Sequence, residues 1–140
     1  MGTDNLSGVA RFREHAVRQC EFALRLASAE CQRSTADAAL VSAAIASEAP
    51  DSGAVTFGVW LQRQLILRQE ARAGQRAAEL REEIARQALV EARREKEVVD
   101  NLREARAAEA DRRTDRREAA ALDEVASRMR AVRSRWTTIS

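Results

Sequence analysis

The chain has 140 residues, 24 basic and 22 acidic groups and a net charge of +2, with Lys96 its one lysine among arginines. It has no tyrosine, only five aromatic residues, and an apolar fraction that is mostly alanine. Alanine buries little area, which argues against a compact globule with a mixed core. Interleaved charges of both signs argue against a polyanion-binding patch.

Abundant Ala, Glu, Arg, Leu and Gln, with few Gly and Pro, suit long helices because straight side chains lose little rotamer freedom there. The fold class is therefore all-α. The start does not read as a signal peptide, and no run approaches the ~20 apolar residues of a membrane span. A cytoplasmic protein is expected. Cys20 and Cys31 are then reduced thiols rather than a pair.

In the first helix, about 4–49, Val17, Cys20, Leu24, Ala27, Cys31, Ser34, Ala38, Val41 and Ile45 recur at alternating steps of three and four. That is a heptad seam, thin because many of its members are small. Glu14 with Arg18, and Glu21 with Arg25, sit one turn apart off the seam. The cysteines lie about 16 Å apart along the helix, so they read as small buried hydrophobes. Thr3 or Asp4 is placed to cap this helix, which must end before Pro50.

Pro50, Asp51, Ser52 and Gly53 supply a turn at about 50–55, and Ser52 or Thr56 is placed to cap the second helix. That helix runs about 56–136, roughly 120 Å, with the charged stretch near 111–115 as the place where it could break. Its heptad register runs through Val59, Ile66, Ala73, Ala77, Leu80, Ile84 and Val98, then Ala105, Ala108, Ala119, Leu122, Ala126, Met129 and Trp136. Folding back at the turn sets partners whose numbers add to roughly 105. Ile45 then faces Trp60, Leu24 faces Leu80 or Arg81, and Cys20 faces Ile84. The first helix is exhausted by about residue 100, and the remainder is an overhang in which Asp100 with Arg103, and Glu109 with Arg113, give local support. One domain, 1–140, covers the whole.

Leu122, Val125, Ala126, Met129, Val132 and Trp136 form a further apolar stripe that the first helix cannot reach. An amphipathic stripe without an internal partner calls for an external one. Phe57, Leu61 and Leu65 make a second apolar surface beside the turn. Catalytic chemistry finds no foothold: there is no phosphate-binding loop, no HExxH and no CxxC, and the single His15 lies off the cysteine stripe. No cofactor, metal or nucleic-acid partner is expected, and because the terminal stripe has a single interfacial aromatic, Trp136, the membrane is expected to be reached only through partners.

The hairpin with a longer, charge-rich second helix resembles the FliJ family of flagellar type III export proteins and the stalk proteins of virulence type III secretion. The segments that carry the likeness are "EARREKEVVDNLREARAAEADRR", Glu91 to Arg113, and "ALDEVASRM", Ala121 to Met129. The resemblance implies a non-enzymatic stalk, peripheral to the inner membrane export apparatus. Its paired terminal part would enter a hexameric export ATPase, its turn would meet the export-gate membrane protein, FlhA in flagella, and export chaperones would be further partners. On that reading Leu122, Val125, Met129, Val132 and Trp136, with Arg128, Arg130, Arg133 and Arg135, meet the ATPase. Val41, Ile45, Phe57, Trp60, Leu61 and Leu65 meet the gate. A self-associating structural coiled coil without an ATPase partner is the alternative.

Overall fold

The computed structural model describes residues 3–47 and 53–139, with the side chains of 3, 4 and 54 left aside. It is all-helical: α1 spans Thr3–Ser47 and α2 spans Ala54–Thr138. Residues 48–52, including most of the expected turn and the Ser52 cap, lie outside the described residues. Thr56 is not the cap of α2. It sits inside the helix, and the Gly53 carbonyl accepts the opening bond from the Phe57 amide at 3.1 Å. α2 is one continuous helix, unbroken through 111–115 where the charged stretch could have interrupted it.

The chain forms two compact units, Met1–Glu97 and Val98–Ser140. In the first, α1 and α2 run antiparallel. Arg13 pairs with Glu95, Glu21 with Arg93 at 3.5 Å and Glu30 with Arg81, so numbers rise along one helix as they fall along the other. Ser28 Oγ donates to Glu82 at 3.1 Å in the same sense. These pairs add to roughly 110, not 105. Glu21 thus reaches across to Arg93 rather than along its own helix to Arg25, whereas Glu14 holds Arg18 at 3.1 Å as the spacing predicts.

The α1 seam forms as read. All nine residues from Val17 to Ile45 are buried or half-buried, and the same spacing continues back through Arg13, Ala10 and Leu6. The α2 register does not. Val59, Ile66, Leu80 and Ile84 are exposed, and the residues that face α1 are Leu61, Gln64, Arg68, Ala71, Gln75, Ala78, Glu82, Ala85, Leu89, Ala92 and Lys96, every one buried or half-buried. These too alternate in steps of three and four.

The physical reason lies in side-chain size. Ala71, Ala78, Ala85 and Ala92 meet an α1 seam rich in Ala10, Ala27, Cys31, Ser34 and Ala38, so the backbones can approach closely and recover dispersion contacts. Ile66, Leu80 and Ile84 in that position would hold the helices apart. Among the polar seam members Glu82 bonds Ser28 and Arg86, whereas the Nε atoms of Arg13 and Arg68 are buried without a hydrogen-bond partner.

The core is accordingly small. Val17, Leu89 and Ala92 form its buried centre, with Cys20 and Leu24 packed against them. Cys20 therefore belongs with Leu89 and not with Ile84, and Leu24 belongs to the same cluster rather than to Leu80. Ile45 moves opposite about residue 65 on the same register, and Trp60 instead lies against Phe57 with ring centroids 5.9 Å apart.

The second unit is the remainder of α2. Almost every side chain in it is exposed, with Val99, Asp100, Glu109 and Ala126 half-buried. Local ties support it: Glu109 meets Arg112 at 3.7 Å and Arg113 at 3.5 Å, and Glu124 meets Arg128 at 2.6 Å. Each such exposed pair adds a few tenths of a kcal/mol, ~0.3–0.5.

Candidate functional site

Three features stand out, each traceable to how heptad spacing distributes side chains around a helix. The first is the terminal stripe of α2. Leu122 is 70 % exposed, Met129 69 % and Trp136 73 %, with Val125 and Val132 about half exposed. At about 100° per residue, Val132, Val125, Trp136, Met129 and Leu122 fall within an arc of about 80°. Arg128 and Arg135 border one side of that arc, Arg133 and Arg130 the other. A shallow groove is lined by Val125, Arg128, Met129, Val132 and Arg133. Among the described residues Arg128 is held by Glu124, and Arg130, Arg133 and Arg135 have no carboxylate partner. The hydroxyls of Ser134, Thr137 and Thr138 are spent on the helix's own carbonyls at 2.6–3.2 Å, so from Val125 onward the charge this segment offers a partner is that of its arginines.

The second feature is the surface beside the turn. Its six expected residues do not share one face. Val41, Ile45 and Leu61 are half-buried on the two facing seams. Leu61, expected off the seam, is thus part of it. Phe57 and Leu65 are exposed, and Trp60 is half-buried against Phe57. Phe57, Trp60 and Leu65 are the members still available to a partner.

The third feature is a pair of outward apolar stripes. On α2 it is Val59, Ile66, Leu80 and Ile84, whose spacing is visible in the sequence but reads there as the inner seam. On α1 it is Phe12, Phe22, Leu26 and Leu40, all exposed, with the Arg13 guanidinium 5.7 Å from the Phe12 ring centroid. Their spacing of three and four, through His15 and Gln19, could have been found as a second heptad stripe beside the seam.

The hairpin seam also holds a polar knot. The Cys31 thiol is pushed up from its ordinary value, first by its hydrogen bond to Glu82, then by burial, and then by the charges of Glu82 and Glu79. The Glu82 carboxyl is held below the usual carboxylate range, chiefly by the bonds from Cys31 and Ser28. A raised thiol is protonated near neutrality and is a weak nucleophile. Cys20 and Cys31 are both free. Among the described residues no group of three or more His, Cys, Asp or Glu could hold a metal ion, and no helix is long and apolar enough to cross a membrane.

The fold defines a two-helix antiparallel coiled-coil hairpin whose second helix is the longer. Comparison with known proteins adds no match: no family model, no curated protein and no solved structure.

Proposed function

We propose that the chain is a non-enzymatic stalk and adaptor of a type III protein export apparatus, of the flagellar or virulence-secretion kind. The observation that carries this reading is the terminal stripe of α2, which leaves Leu122, Met129 and Trp136 exposed beside Arg130, Arg133 and Arg135, arginines with no carboxylate partner among the described residues. The hairpin architecture and the likeness of Glu91–Arg113 and Ala121–Met129 to the FliJ family support it. In this reading Leu122, Val125, Met129, Val132 and Trp136, with Arg128, Arg130 and Arg133, contact a hexameric export ATPase. Phe57, Trp60 and Leu65 meet an FlhA-like gate protein, with Val41, Ile45 and Leu61 supporting them from the seam. Export chaperones are further partners. The chain is cytoplasmic and reaches the inner membrane apparatus through these proteins. A stalk of this kind acts by binding ring subunits unequally in their different nucleotide states, which shifts assembly and turnover without chemistry of its own.

The test is ATPase turnover and hexamer assembly with the full chain and with Met129→Ser/Trp136→Ser, using the export ATPase of the same cell. Stimulation that the double variant loses supports the stalk. A stable dimer buried through Leu122 to Trp136, without effect on the ATPase, sinks it.

A second reading, a self-associating structural coiled coil, is favoured by the outward stripe of Val59, Ile66, Leu80 and Ile84. A helix with two apolar seams is suited to packing between two neighbours. Sedimentation separates the readings: under self-association Leu80→Ser/Ile84→Ser dissociates the assembly and neither form affects the ATPase, whereas under the stalk reading the variant stimulates the ATPase as the parent does.

A further inference from the structure

We propose that the end of α2, residues 122–138, also docks on an anionic lipid surface. The inference stands apart from the export reading, because it rests on how charge is distributed around this one segment. From Val125 to Ser140 the sequence holds four arginines and no Asp or Glu. Those arginines border the apolar arc on both sides, and the arc itself is made of exposed large side chains, Leu122, Val125, Met129, Val132 and Trp136.

The hairpin seam shows what a protein-facing margin of this chain looks like. There the bordering charges are of both signs and pair across: Arg13 with Glu95, Glu21 with Arg93, Glu30 with Arg81. From Val125 onward the terminal stripe has borders of one sign, with Asp123 and Glu124 confined to its first turn, so over that length it favours a partner that is anionic on both sides of an apolar strip. A second copy in parallel fails that requirement, since each arginine would meet its own counterpart, and an antiparallel copy offers only Asp123 and Glu124 to the four arginines of each chain. A lipid surface meets it without a fixed register: an amphipathic helix lies in the interface with its apolar arc at the acyl boundary and its basic borders at the headgroups. Trp136 suits that depth, having an apolar body and one polar N–H. The Glu124–Arg128 tie is exposed and loosens at little cost.

The same face serves the ATPase in the export reading, so lipid and ATPase would compete for one molecule. The test uses the full chain with vesicles of equal parts phosphatidylglycerol and phosphatidylcholine, against phosphatidylcholine alone. The chain is expected to sediment with the anionic vesicles only, and less as salt rises. In a Trp60→Phe background the emission of Trp136 is expected to shift to the blue on binding. Arg130→Gln/Arg133→Gln should weaken binding by roughly tenfold or more, while Arg63→Gln/Arg72→Gln, with the same loss of charge in the hairpin, should not. Equal loss in both variants, binding without a Trp136 shift, or no sedimentation each overturn the inference. Capture by the export ATPase without vesicle binding overturns it and leaves the stalk reading standing; vesicle binding without any ATPase effect does the reverse.

Discussion

Ser28 on α1 donates a hydrogen bond to Glu82 on α2 at 3.1 Å, across the hairpin. The same carboxyl group accepts from Arg86 at 2.9 Å, and it pushes up the pKa of the Cys31 thiol. A glutamate placed on the inner seam is thus kept ionised by its neighbours, and it in turn keeps a thiol protonated.

Glu82→Gln should therefore lower the Cys31 pKa, since it removes the carboxylate that both accepts the thiol's hydrogen bond and opposes its ionisation. Alkylation of Cys31 near neutral pH, followed by mass spectrometry, should run faster in the variant than in the parent. Equal rates would mean that the thiol is not facing Glu82. The stability effect has the opposite pH sense. A carboxyl held below its unfolded value contributes above that value and loses its contribution as pH falls through its folded pKa. Urea midpoints of the parent should thus fall on acidification below ordinary carboxylate values, about 4.3, and less steeply in Glu82→Gln.

The hairpin offset is checked by cross-linking. In a Cys31→Ser background, Leu89→Cys should form a disulfide with Cys20 under mild oxidation, because Cys20 packs against the Val17, Leu89 and Ala92 cluster. Ile84→Cys, on an exposed face, should not. Non-reducing electrophoresis of the oxidised monomer, after proteolysis between the helices, reads the outcome. A link to position 84 would restore the register in which partners add to roughly 105.

The α1 seam was legible in the sequence because its heptad is unbroken in apolar or small residues from Val17 to Ile45, whereas the stripe of Phe12, Phe22, Leu26 and Leu40 is interrupted by His15, Gln19 and Arg33. On α2 two heptads compete, and apolarity chooses the wrong one. Ile66, Leu80 and Ile84 outweigh Ala71, Ala78 and Ala85 in hydrophobicity, yet the alanines fit a partner that is itself small. Pattern reading weighs each helix alone, whereas packing is decided by the sum of two facing surfaces. The terminal stripe was legible because it has no competing seam. The turn surface was half legible: Phe57 and Leu65 are exposed, but Leu61 lies on the alanine-rich α2 register that apolarity alone passes over.

Gly74 lies in the interior of α2, and a Cβ built there meets nothing within 4 Å. No packing constraint requires glycine, while its backbone freedom disfavours the helix. Gly74→Ala should raise stability by up to about 1 kcal/mol, seen as a higher urea midpoint with unchanged slope. A lower midpoint would show that a close neighbour covers this position in solution.

The choice of seam makes opposite predictions for two residues less than one turn apart. Ala78 is 1 % exposed and Leu80 63 %. Enlarging Ala78 to Leu must push apart two helices whose approach depends on small side chains, at a cost of about 1–3 kcal/mol. Truncating Leu80 to Ala removes a side chain that touches little, and it improves helix propensity slightly, so the change should stay within about 0.5 kcal/mol. Under the apolar register the ranking reverses: Leu80→Ala would open a core cavity worth about 2–5 kcal/mol, and Ala78→Leu would be a harmless surface change. Circular dichroism melts of the two variants at low protein concentration decide between them. Repeating the melts at high concentration extends the test, because a loss of stability in Leu80→Ala that emerges only there would identify the outward stripe as a contact between copies and leave the hairpin seam as described.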